Sequence, residues 1–380
     1  MPEPKTGKIN TGHLRYAATA IAVVIVAAVV IFYKMSSDRR TYSGYRIEQS
    51  REKTDNISKY EYVEGYVLKY SSDGAELLRK DMSSAWTASY SMTDPRIDLS
   101  GTHILMYDRL GTRLYIFDLK GEVSSFQAGG PVLKARISDK NTVAVLTRNG
   151  DNVGFAYYSA DGTPIASGES TMTDPGYPLG IALSGDGTRI AISYLTVSGG
   201  TIGSCVRFYN FGRAGRDHEN NMVAEEKLDS VVAPEIDYFD GNECVLLRDN
   251  GFTVYRGQGD ISVYKSVDFT GDIVSAFHDG SHMGFVFRSE DKSHRYDMQI
   301  YSTSGNLVST CHVDEAYSNV HVCGDHVVFS NSSGFSVYSM RGVCRYSGTV
   351  SGGGLSDVLR IGRDRFLALT DYHMEILRLV

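Results

Sequence analysis

Short apolar runs with almost no polar interruption recur along the chain about every 45 residues. They are Ile104 to Tyr107, Val143 to Leu146, Ile190 to Ile192, Val245 to Leu247, Phe285 to Phe287, Val327 to Phe329 and Phe366 to Leu369. A strand that does not alternate is buried on both faces. Between these runs a second series ends a strand on an aromatic residue and places Gly three or four residues later. Its members are Tyr70 to Gly74, Phe117 to Gly121, Tyr158 to Gly162, Tyr209 to Gly212, Tyr255 to Gly259, Tyr301 to Gly305 and Tyr338 to Gly342. That spacing suits a tight hairpin whose left-handed position favours glycine.

Strands buried on both sides and joined by hairpins at a fixed period predict an all-β ring, a β-propeller of four-stranded blades, each packing its faces on its neighbours. Seven buried runs predict seven blades. The first hairpin, at Gly74, has no buried run before it, and the last run, at Phe366, has no hairpin after it, so one blade is expected to be shared by both chain ends. The strands ending at Tyr70 and at Leu379 both read as third strands, which leaves one surplus. The alternative is eight blades, with degenerate strands in the segment before residue 60.

Ahead of the ring, residues 16–33 carry no charge between Arg15 and Lys34. Eighteen helical residues span about 27 Å, enough for a bilayer core, and Tyr16, Phe32 and Tyr33 suit its interfaces. The expected organisation is a basic cytoplasmic tail (1–15), one transmembrane helix (16–33), a charged stalk (34–60) and the propeller (61–380). A cleaved signal peptide fits less well, because Lys34 and Met35 follow the run where a small-residue cleavage site would stand. Basic residues flank both ends. A short basic tail leading into an apolar run is how a signal-anchor begins, so the large domain is expected on the extracytoplasmic side of the cell membrane.

The net charge is −7, and the first forty residues hold six Lys and Arg against Glu3 and Asp38, leaving the remainder at −11. That balance excludes a phosphate-backbone binder, so nucleic acid is not an expected partner. Cys205, Cys244, Cys311, Cys323 and Cys344 are odd in number and widely spaced. They read as buried thiols, with a Cys311–Cys323 disulfide as the alternative.

Trp86, Asp94-Pro95, Ile116-Phe117-Asp118, Gly176-Tyr177-Pro178, Leu183-Ser184-Gly185-Asp186-Gly187, Ser193-Tyr194 and Phe208-Tyr209-Asn210-Phe211-Gly212 resemble a family of uncharacterised bacterial proteins known only as a domain of unknown function. The resemblance implies a single membrane helix followed by a propeller-like domain, in Gram-positive anaerobes. It supplies no catalytic residues, and Gly185 stands where a Ser-Pro-Asp-Gly turn has Pro.

Candidate chemistry is sparse. The chain has no nucleophile elbow, phosphate-binding glycine loop, zinc helix or calcium loop. His278 and His282 flank an Asp-Gly turn, and His321, Cys323 and His326 cluster with Cys311-His312; both groups read as structural, and no metal, cofactor or catalytic residue is assigned. Arg96, Asp98, Lys134, Arg136, Glu235, Asp237, Asp357 and Arg360 fall on innermost strands and are candidates to line the channel. A polar insertion from Gly212 to Lys227 offers Arg213, Arg216, Asp217 and His218 as a candidate partner loop. The function these features support is a non-enzymatic protein- or ligand-binding scaffold at the cell envelope, docking envelope proteins or a wall component. An extracytoplasmic hydrolase or lyase acting on a glycan or peptide is the alternative.

Overall fold

The computed structural model describes residues 40–239 and 243–380, together with 23, 24 and 26. The strand β1 (Tyr45–Glu52) comes first. It is followed by a meander of β2 (Lys59–Val63), β3 (Tyr66–Tyr70), β4 (Gly74–Leu78) and β5 (Ser84–Ser89), which forms blade 1. Blades 2 to 7 take four consecutive strands each: β6 to β9, β10 to β13, β14 to β17, β18 to β21, β22 to β25 and β26 to β29. Blade 8 has β30 (Leu355–Arg360), β31 (Arg365–Thr370) and β32 (His373–Leu379), with β1 as its outermost strand. The first strand of each meander lies innermost. Besides β2 and β30 these are β6 (Pro95–Ser100), β10 (Val132–Ile137), β14 (Tyr177–Leu183), β18 (Glu235–Tyr238), β22 (Ile273–His278) and β26 (Asn319–Cys323).

The expectation of seven blades behind a transmembrane helix is therefore corrected. There are eight blades, and no helix among the described residues is long and apolar enough to cross a membrane. Of the expected anchor, only Val23, Val24 and Val26 are described; the rest of residues 16–33 and the tail 1–15 lie outside the described residues. The blade count failed at the first hairpin. Tyr70 to Gly74 joins a second strand to a third, whereas Phe117 to Gly121 and the later members join a third strand to a fourth. Read as one series, they hid a complete blade. The surplus strand ending at Tyr70 is that blade's second strand, and Met374–Leu379 is the third strand of blade 8.

Closure draws on both ends of the ring, through a strand that lay in the expected stalk. β1 runs antiparallel to β32 from Tyr45↔Leu379 to Glu52↔His373, with a bulge between Ile47 and Gln49. The apolar clusters lie between blades rather than within them. Eight are present, one for each interface, from Leu68, Leu77, Ile104 and Phe117 between blades 1 and 2 to Tyr60, Val67, Leu367 and Ile376 between blades 8 and 1. The non-alternating second strands follow from this arrangement, because each of their faces enters a different cluster.

Candidate functional site

Inner-strand side chains meet around the channel, and Arg136 on β10 is the centre of one half of it. Its Nη1 donates to Asp98 Oδ1 of blade 2 at 2.7 Å, its Nε to the Ile181 carbonyl of blade 4 at 3.1 Å, and its Nη2 lies 3.1 Å from Asp237 Oδ2 of blade 5. Asp98 also accepts the Ile137 backbone N–H at 2.7 Å. One guanidinium thus ties four successive blades together. Burial pushes the Asp98 carboxyl up against the pull of Arg136, and burial pulls the Lys134 amine down. His278 of blade 6 faces this cluster, 3.8 Å from Asp237 Oδ2 and 4.0 Å from Glu235 Oε1. The imidazole holds the Glu235 carboxyl down to about 2 against the opposing effect of burial. Burial acts to lower His278 itself, and the two facing carboxylates outweigh it, so His278 stands above its ordinary value.

The other half of the channel is organised around His321 of blade 7, whose Nε2 lies 2.8 Å and 3.0 Å from the two oxygens of Asp357 in blade 8. This ion pair outweighs burial and raises the His321 pKa. Glu61 of blade 1 completes the group; burial, reinforced by Asp357, pushes its carboxyl up. Arg360 turns away to the rim, where it donates to the Cys323 carbonyl at 2.8 Å and pairs with Asp325 at 2.7 Å. Asp325 in turn lies 2.7 Å from His326 Nδ1, and Arg345 donates to His326 Nε2. An imidazole that accepts at Nε2 and donates at Nδ1 is neutral, in keeping with the lowering of its pKa by burial.

The structure therefore brings Asp98, Arg136 and Asp237 into contact, with Lys134 and Glu235 beside them. It places Asp357 across the channel and takes Arg96 and Arg360 to the rims. Arg96 pairs with Asp94 at 3.1 Å, where Arg109 also converges at 3.0 Å. Sequence reasoning did not find Glu61. His278 and His321, read there as structural, serve as carboxylate partners; their signal was a position on an inner strand opposite acidic neighbours. Among the described residues no group of three or more His, Cys, Asp or Glu side chains is arranged to hold a metal ion. All five cysteines are free: Cys205 and Cys244 are buried, Cys311 and Cys323 half-buried, and Cys344 exposed.

Blades 1 to 7 are antiparallel meanders, so their first-to-second and third-to-fourth turns lie on one rim, here the lower. The second-to-third turns and the links to the next blade lie on the upper rim. The loop at 211–221 belongs to the lower rim of blade 4. It holds two short 3-10 turns, Arg213–Gly215 and Glu219–Asn221, pinned by Asn210 Nδ2 donating to the Gln258 carbonyl at 2.7 Å and Asn221 Nδ2 donating to the Gly215 carbonyl at 3.2 Å. Arg213, Arg216, Asp217 and His218 are all exposed on it. On the upper rim, where β1 hands over to β2, a cavity of about 410 Å³ is lined by Lys53, Lys59, Glu61, Tyr70, Asp357 and Asp371.

The sequence model of one family of unknown function matches residues 38–379. No curated protein matches the chain in sequence. Among solved structures, BamB from Moraxella catarrhalis is similar at 12% identity and a TM-score of 0.53, over 88% of this chain and 100% of that one. The computationally designed Ika8 protein is similar at 9% and 0.51, over 90% and 99%. Saccharomyces cerevisiae Sqt1 is similar at 11% and 0.50, again over 90% and 99%. At such identities the likeness is one of fold, and a designed protein shares it.

Proposed function

The chain belongs to that family of unknown function, DUF5711, and from this premise we propose that it is a membrane-tethered, extracytoplasmic binding scaffold whose rims dock proteins of the cell envelope. The observation that carries the reading is the state of the channel charges: Arg136, Asp98, Asp237, His321 and Asp357 are engaged with one another across blades. They act as a structural lock, which leaves the rims as the surfaces open to a partner. The uncharged run 16–33 supports the tether. The chain enters the ring at the lower rim, where the Arg40 carbonyl accepts from Arg345 Nε at 3.0 Å. A tether there turns the upper rim away from the bilayer. Mild crosslinking of the anchored protein, followed by purification from solubilised membranes, tests the reading: a stoichiometric envelope partner is expected, and recovery of none overturns it. Protease digestion of intact cells tests the side, with cleavage of the ring expected from outside.

One observation favours a second reading, an enzyme acting on a glycan or peptide. Glu61, raised by burial, lines the upper-rim cavity with Asp357, the partner of His321, an arrangement from which a carboxylic acid can donate a proton. Turnover of wall glycan or peptide fragments that is lost in Glu61→Gln, with folding intact, is its expected signature. Equal turnover by the two chains removes it.

A further inference from the structure

Blade 4 departs from the others above the upper rim. Its second and third strands, β15 (Arg189–Ser198) and β16 (Thr201–Asn210), have ten residues each, whereas their counterparts elsewhere have five to seven. The pairing of β14 with β15 ends at Tyr177↔Leu195, and that of β16 with β17 (Met222–Leu228) ends at Ser204↔Leu228. From Thr196 to Gly203 the hairpin pairs only with itself, through Thr196↔Gly203, Val197↔Ile202 and Ser198↔Thr201. Gly199 and Gly200, at φ 58° and 83°, close it in the two-residue turn that matches strand twist and fixes its direction.

The free hairpin has two unlike faces. Alternation places Thr196, Ser198 and Thr201 on one side and Leu195, Val197 and Ile202 on the other. Lower on the same strands, Ala191, Val206 and Phe208 enter the cluster shared with blade 5, so the apolar side faces blade 5. Tyr177 extends that side at the base. Val197 and Ile202, 54% and 52% exposed, stand directly opposite each other. Beneath them runs the link from blade 4 to blade 5. Ser204 Oγ accepts the Ala233 N–H at 2.9 Å, and the Val232 carbonyl accepts the Asp249 N–H at 2.8 Å. Asp229 and Asp249, both exposed and without a side-chain partner among the described residues, flank this link.

We infer that the blade 4 hairpin and the link to blade 5 form a docking shelf for a basic amphipathic segment of a partner polypeptide. The partner's apolar stripe covers Tyr177, Leu195, Val197 and Ile202, and its Lys or Arg side chains meet Asp229 and Asp249. Charge complementarity selects this occupant. A second copy of the chain would bring its own carboxylates against these, and an anionic bilayer would be repelled by them. A two-stranded ribbon standing alone is marginal in water, so docking also supplies the third layer it lacks. The inference rests on the scaffold reading and names the partner class for one part of the upper rim.

The test uses the full chain in nanodiscs of neutral lipid, with empty discs as blank. The probes are a synthetic Leu/Lys amphipathic peptide carrying a photo-crosslinker and its Leu/Glu counterpart. The Leu/Lys peptide is expected to bind, to cross-link within 195–204, and to weaken with added salt. Val197→Ser/Ile202→Ser, a change on an exposed ribbon, is expected to weaken it at least about tenfold with an unaltered thermal midpoint. Asp229→Asn/Asp249→Asn is expected to remove most of the salt dependence. Equal binding of the Leu/Glu peptide, or undiminished binding by Val197→Ser/Ile202→Ser, overturns the shelf. So does self-association, or attachment to anionic vesicles, that this same variant abolishes. In the membrane crosslinking experiment, a partner still held by Val197→Ser/Ile202→Ser sinks the shelf and spares the scaffold, whereas no partner with either chain sinks the scaffold.

Discussion

Arg136 shows how single side chains hold neighbouring blades in register. Replacing it with Met removes the guanidinium that bridges Asp98 and Asp237. The expected cost is about 3 kcal/mol in chemical denaturation, at the low end for a broken buried pair because the channel admits water. In the interface between blades 5 and 6, Phe252 is fully buried, stacked on Phe285 at 5.4 Å and packed edge-on to Tyr301 at 5.1 Å. Phe252→Ala is expected to cost about 3–5 kcal/mol by the same measurement. The channel imidazoles make stability depend on pH. His278 and His321 are raised above the unfolded value of about 6.5, so their contribution is complete below it and is lost as pH rises through their folded values. His326 is lowered, and its contribution has the opposite sign. The wild-type chain should therefore lose more stability between pH 6.5 and 8.5 than His278→Gln/His321→Gln does. Equal losses would show that the two imidazoles stay uncharged.

Elements of similar appearance in the sequence proved to differ in role. The second strands were readable because each packs both faces into a core, as Val143 to Leu146 and Phe285 to Phe287 do, and that demand leaves an unbroken apolar run. Outermost strands make no such demand. β1 pairs with β32 along one edge and leaves most of its side chains exposed, so Tyr-Arg-Ile-Glu-Gln-Ser-Arg-Glu reads as a polar stalk. The blade 4 hairpin left a trace in Leu195, Val197, Gly199-Gly200 and Ile202, a turn pair between alternating apolar positions, which the longer polar insertion after it obscured. Channel contacts such as Arg136 to Asp237 join residues a hundred positions apart, and only ring closure brings them together. At the lower-rim loop of blade 4, a Cβ on Gly215 would stand 1.7 Å from the Asn210 carbonyl oxygen. Gly215→Ala is expected to release the loop, so that trypsin cuts quickly at Arg213 and Arg216 in the variant and slowly in the wild type. Equal rates would show that the loop is not held by that contact.

The whole molecule is a closed ring in which every interface depends on the last one being made. A meander of seven complete blades leaves the eighth with an unpaired outer edge, and β1 supplies the missing strand. Closure therefore couples residues 45–52 to residues 373–379, and through them to every inter-blade core. Disulfide formation between Glu52→Cys and His373→Cys tests this most directly, because opposed residues of antiparallel strands stand within the range a disulfide can bridge. The account predicts an intramolecular cross-link in the folded full-length chain, absent after denaturation and reduction. Two thiols that stay free in the folded protein would contradict a ring of eight blades closed by Tyr45–Glu52.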